Sequence, residues 1–141
     1  MITQGLTTIF KNNCLSGLED FTAASPYVYK IALYTANATL NNATTAYTTD
    51  NEITGTGYSA GGKILTGTTI GSSGYTAFVD FDNVNWNPGA FTARCALIYN
   101  SSKANRSIAV LDFGSDKTST ATFTIVMPVN DANSALIRSS N

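Results

Sequence analysis

At 141 residues the chain has the length of one ordinary domain, enough to bury a core without metal or disulfide support. Charged residues make up only 12% of it, about half the usual share, and eight Lys and Arg against nine Asp and Glu leave a net charge of −1. The basic residues are scattered singly, which argues against nucleic-acid binding by phosphate neutralisation, and no segment approaches the apolar length of a membrane span.

The first twenty residues carry the one predicted helix. Leu6, Ile9, Phe10, Cys14 and Leu18 fall near helical spacing and Thr3 is placed to cap the start, while Gly5 and Gly17 weaken it. Such a helix either packs across one end of a sheet or forms an arm that docks on a neighbouring subunit. After Ser25-Pro26 the period changes to two, and in "YVYKIALYT" Tyr27, Tyr29, Ile31 and Leu33 line one face with Val28, Lys30 and Ala32 on the other. A long polar segment follows, 36–62, whose spaced anchors Leu40, Tyr47, Ile53 and Tyr58 argue for a loop pinned to the body.

Strands then come at short intervals. They are predicted in "KILTGTTI", in "YTAFVDFDNVNW" with Phe78, Val84 and Trp86 on one face, and in "FTARCALIYN" and "SIAVLDFG" flanking a hairpin at "SSKANR". Asn87-Pro88-Gly89 is a turn, "TATFTIVMPV" is a strand closed by Pro128, and "SALIRSS" is a short last strand. The expectation is an all-β, antiparallel β-sandwich or jelly-roll-like barrel of about seven or eight strands in a single domain, residues 1–141. An N-terminal helix or arm (1–24) precedes the β-sandwich body (25–141).

Histidine is absent, which removes the commonest general base and zinc ligand together with every Ser-His or Cys-His pair. The two cysteines, Cys14 and Cys95, have no CxxC partner, and Cys95 in "ARCALIY" reads as a core thiol. The N-terminus has neither the basic start nor the continuous apolar run of a secretory leader. The oxygen cluster "DFDNVN" (Asp80, Asp82, Asn83) lacks the spaced Glu of a calcium loop, so solvated strand carboxylates are expected. The glycine-rich "NEITGTGYSAGG" fails as a phosphate cradle. Gly62-Lys63 is followed by the β-type run Ile64-Leu65-Thr66 where a Walker loop needs Ser or Thr opening a helix. Its glycines are expected to let the backbone lie close to another chain or sheet, with Tyr58 as a buried pin. No cofactor, no metal and no enzymatic activity are expected.

Five ordered blocks, "KIALYTANATL", "TTAYTTDNEITGTGYSAGGK", "AFVDFDNVNW", "TARCALIYNSSK" and "AVLDFGSDKTS", resemble a small structural protein of tailed double-stranded DNA phages. The resemblance runs from about Lys30 to Lys117 and points to the capsid decoration, or cement, proteins of short-tailed phages. It implies a virion component made in the host cytoplasm and seated on the capsid exterior. Its partners would be the major capsid protein and itself, as a homodimer or homotrimer on symmetry axes. Expected capsid or subunit contacts are Leu6, Ile9 and Phe10 in the N-terminal segment and Tyr47, Ile53 and Tyr58 in the long loop, with core packing the competing role for each. Two other functions compete. One is a tail or fibre-associated receptor- or carbohydrate-binding module using Tyr47, Tyr58, Tyr75 or Trp86; the other is a hydrolase using Asp80 and Glu52.

Overall fold

A computed structural model describes residues 1–140, which form ten strands and one short helix. In chain order these are β1 (Gly5–Leu6), α1 (Thr8–Leu15), β2 (Tyr29–Tyr34), β3 (Lys63–Ile64), β4 (Thr69–Ser73), β5 (Thr76–Asp80), β6 (Val84–Trp86), β7 (Phe91–Asn100), β8 (Arg106–Ser119), β9 (Phe123–Ile125) and β10 (Ile137–Ser139). All strand pairs are antiparallel and fall into three sheets: β1-β8-β7-β2-β3, β10-β5-β4 and β6-β9. The all-β expectation with a short helix is met.

In the five-stranded sheet β2, most of β7 and the first half of β8 are buried on both faces. Tyr29, Ile31 and Leu33 of β2 join Ala96, Ile98 and Ile108 in the larger core, closed by Val84, Trp86, Phe123, Ile125 and Ile137 from the two smaller sheets in a sandwich-like arrangement. The alternate residues Ala32 and Tyr34, with Cys95, Leu97, Tyr99 and Val110, form a second core under Ala38 and Leu40 of the long loop. Period-two alternation thus sorts β2 as predicted, but both of its faces are apolar because each has its own cover.

The strand count exceeds the expected seven or eight because two predicted strands are each divided between sheets and a two-residue strand, β1, precedes the helix. "KILTGTTI" breaks into β3 and β4 at Gly67, which has a φ of +64°. "YTAFVDFDNVNW" breaks into β5 and β6 at 81–83, where the Asp82 N–H donates to the Thr66 carbonyl instead of a ladder partner.

The N-terminal helix is shorter than the spacing predicts, since Gly5 and Leu6 pair with Val110 and Ala109 of β8. Thr7, not Thr3, is the cap: its Oγ1 accepts the Phe10 N–H at 3.4 Å. The helix stops in a Schellman arrangement, with the Leu18 N–H donated to the Asn13 carbonyl and the Gly17 N–H to that of Cys14. Phe10 and Asn13 are its buried residues, whereas Cys14 and Leu15 face solvent. The predicted stripe misplaced Cys14: in the last turn the buried position goes to Asn13, whose amide donates to Glu19. Phe10 meets Phe21 edge-on, and Phe21 stacks on Tyr29 at 4.6 Å, so this segment packs on its own sheet as the first of the two expected roles required.

Candidate interaction surfaces

The glycine-rich segment completes an edge of the five-stranded sheet. β3 covers β2 only at Lys30 and Ile31, so along its far half β2 has β7 on one side and no strand on its outer edge. The loop supplies the missing partners. The Leu33 N–H donates to the Tyr58 hydroxyl (2.9 Å), the Leu33 carbonyl accepts from the Ile53 N–H (3.0 Å), and the Thr35 N–H donates to the Asn51 carbonyl (2.9 Å). Gly62 lies so close to β2 that a Cβ there would sit 1.8 Å from the Ile31 carbonyl oxygen, and its φ of +73° favours glycine as well. Close approach to a sheet, one of the two readings of these glycines, is what they do.

Glu52 is the hub of this latch. Its Oε1 accepts from the Tyr58 hydroxyl and the Gly61 N–H, both at 2.7 Å, and its Oε2 accepts from the Tyr47 hydroxyl at 2.7 Å. Tyr47 stacks on Tyr99 at 4.8 Å, the Tyr99 hydroxyl donates to the Gly61 carbonyl, and the Tyr34 hydroxyl donates to that of Thr48. Burial above all, with the neighbouring carboxylate acting in the same direction, pushes the phenols of Tyr47 and Tyr58 well above the ordinary value, and that of Tyr99 up to about 12. These hydroxyls stay protonated and act as donors. The sequence showed Tyr47, Ile53 and Tyr58 as anchors, but the carboxylate that gathers them carried no local motif.

A second carboxylate does comparable work at the helix. Glu19 accepts from Asn13 (3.3 Å), from the Tyr29 hydroxyl (3.1 Å) and from the buried amide of Asn100 (2.9 Å), tying the chain after α1 to β2 and β7.

These placements correct several expected surface roles. Phe10 and Ile53 are buried core residues and offer nothing to a partner; Tyr58 stacks on Trp86 and meets Phe91 edge-on. Tyr47 and Ile9 are half-buried, and Leu6 is half-buried beside the larger core. Each apolar anchor of the long loop found a partner within its own chain, since a loop that substitutes for a strand must bury its side chains as a strand does. Asp80 is likewise not a solvated carboxylate. It is 2% exposed and accepts from the Phe81 N–H (2.8 Å) and the Leu136 N–H (3.4 Å), and burial raises its pKa despite those bonds. Asp82 is exposed as expected and accepts from the Thr66 hydroxyl.

The aromatic platform required for sugar stacking does not assemble from the four residues considered. Trp86 is 1% exposed, Tyr47 and Tyr58 are engaged as described, and Tyr75 at the β4–β5 turn stands alone at 91% exposure. Glu52 and Asp80, the paired acids of the hydrolase reading, are each held by separate sets of donors within the fold. Among the described residues no group of three or more potential metal-ligating side chains comes together, and no helix is long and apolar enough to cross a membrane.

Two features remain open to a partner. One is a groove of about 830 Å³ where β1 and β8 face β9 and the segment after it, with Leu6, Leu111, Phe113, Ile125 and Met127 in its wall. Val126 lines it too and is exposed, as is Val129 just beyond. The other is the β4–β5 hairpin, whose outer strand has exposed residues at four of five positions. Sequence reasoning missed the groove because it forms between strands far apart in the chain. Searches against protein-family models, curated proteins and solved structures find no match to this chain.

Proposed function

We propose that the chain is a non-enzymatic structural protein of a tailed-phage virion, a capsid decoration or cement protein that binds the outside of the major capsid shell and stabilises it. The observation that carries the reading is the ordered series of five sequence blocks between Lys30 and Lys117. Those blocks contain β2, the latch loop, β5 with β6, β7 and most of β8, the framework of the sandwich. A surface with few charges and an apolar groove suits broad, wet, repeated contacts better than a steered encounter with a charged ligand.

A cement protein acts by linkage: it binds the assembled shell and not its separated subunits, so every contact adds to the stability of the assembled state. Copies placed on symmetry axes as dimers or trimers multiply weak contacts through avidity. Because Phe10 and Ile53 are in the core, the capsid-facing role passes to the groove around Leu6 and to the exposed Val126 and Val129. The major capsid protein and further copies of the chain are its partners, with no nucleic acid, membrane or cofactor involved. The site of action is the capsid exterior, after synthesis in the bacterial cytoplasm.

Labelled chain located in a cryo-electron microscopy map of purified virions tests this directly. Hundreds of copies over the shell are expected, and density confined to the tail would overturn the reading. That second outcome would favour a receptor- or carbohydrate-binding tail module, for which Tyr75, alone and fully presented at a hairpin tip, is the supporting observation.

A further inference from the structure

A sheet edge exposes unpaired backbone donors and acceptors, and natural folds protect such edges with short strands, charges, Pro or a covering segment. In this chain the edges of the five-stranded sheet are two-residue strands, β1 and β3, and β3 contains Lys63. The far edge of the three-stranded sheet, β10, has three residues with Arg138 at its centre. In the two-stranded sheet β6 has three residues and its Asn85 carbonyl accepts from the Lys63 ammonium, while β9 has three and runs into Pro128.

The remaining edge, β4, has none of these protections. It is five residues long, it pairs only with β5, and it lies in a stretch from Ile64 to Val79 without a single charge or proline. Ile70 is 50% exposed. Among the described residues no hydrogen bond reaches the backbone of 69–73 from outside the β4–β5 ladder. Gly71 at the centre of the strand is covered from the neighbouring strand by the ring of Phe78.

We infer that β4 is an interaction edge whose partner is β4 of a second copy, joined antiparallel about a two-fold axis into a six-stranded sheet, β10-β5-β4-β4-β5-β10. An edge of bare backbone groups is complemented by another extended strand, and an uncharged strand meets its own copy without like-charge cost. Full overlap of two five-residue strands about a two-fold puts Gly71 on the axis, with Ile70 opposite Ser72 and Thr69 opposite Ser73 of the second copy. Such an isologous contact closes at two chains. The contact is a property of the isolated chain and does not rest on the virion reading, so the two can fail separately.

Sedimentation velocity on the intact chain across the micromolar range tests it. The wild type forms dimers as concentration rises. The double variants I70K/S72K and I70E/S72E each place like charges opposite one another across the axis, so each associates at least roughly tenfold more weakly, while an equimolar mixture of the two restores dimers. A wild type that stays monomeric, a dimer that persists in both variants, or variants that fail to pair on mixing would each overturn the inference. A second readout needs no substitution: amide-exchange protection of residues 69–73 rises with protein concentration, and protection independent of concentration would count as refutation.

Discussion

Replacing Tyr58 by Phe removes one oxygen atom, takes one bond from Glu52 and leaves the Leu33 amide without a partner. The Tyr58 hydroxyl donates to Glu52 Oε1 and accepts the N–H of Leu33, a fully buried residue on the part of β2 that β3 does not reach. Glu52 Oε1 keeps the Gly61 N–H, so the carboxylate loses one of its three bonds, but the Leu33 amide loses its partner where water cannot replace it. An orphaned buried amide costs about 1–3 kcal/mol and a lost bond to a charged group about 1.5–3, so Tyr58→Phe should destabilise the fold by about 3 kcal/mol. Tyr47→Phe is the matched control. It also deletes one hydroxyl bonded to Glu52, but the ring is half-buried and the nearby Gly61 N–H keeps its bond to Glu52 Oε1, so about 1 kcal/mol is expected. Both variants keep their rings, and with them the Tyr58–Trp86 and Tyr47–Tyr99 stacking. Equilibrium urea unfolding measures the difference, provided the slope of stability against denaturant is unchanged. Equal costs for the two variants would refute the assignment of the Leu33 amide to Tyr58 and, with it, the account of the loop as a substitute strand.

Gly62→Ala and Gly17→Ala both place a side chain at a left-handed φ, +73° and +70°, but a Cβ at Gly62 meets the Ile31 carbonyl and at Gly17 meets nothing within 4 Å. The second should cost about 1–2 kcal/mol and the first distinctly more, read by thermal or urea unfolding; comparable losses would deny the close approach to β2. Asp80 has a folded pKa above its ordinary 3.8, so its contribution is fully present below that value and is lost as the pH rises through the elevated one. The stability of the wild type relative to Asp80→Asn should therefore fall with increasing pH over that window, and a flat or rising difference would contradict the burial argument. Thiol labelling should divide the cysteines. Exposed Cys14, held above its ordinary 9.0 chiefly by partial burial of the thiol and then by the Glu19 charge, reacts slowly at neutral pH and faster as pH rises. Cys95, fully buried with its pKa pushed up to about 12, reacts only when the chain unfolds; rapid labelling of both in the native state would be inconsistent with the second core.

The readable parts of this fold are those whose information is local. The alternation in β2 separates Tyr29, Ile31 and Leu33 from Ala32 and Tyr34, and the structure sends the two sets to different cores. The apolar run of β7, the hairpin after it and the buried thiol of Cys95 follow from composition in the same way. The anchors of the long loop were visible because isolated apolar residues in a polar segment need burial. What they were anchored to was not visible, since burial by the chain's own sheet and burial by a partner leave the same pattern in sequence.

The sequence by itself determined the all-β character, the helical N-terminal turn and the impossibility of a Walker-type phosphate site, because strand period, turn chemistry and missing residue types are properties of neighbouring positions. Only the tertiary structure decided that Glu52 gathers Tyr47, Tyr58 and Gly61, that Asp80 is buried, and that β4 is the unprotected edge. Those facts depend on which strand lies beside which, and a hydrogen bond such as that from the Leu33 amide to Tyr58 joins residues that no local period connects.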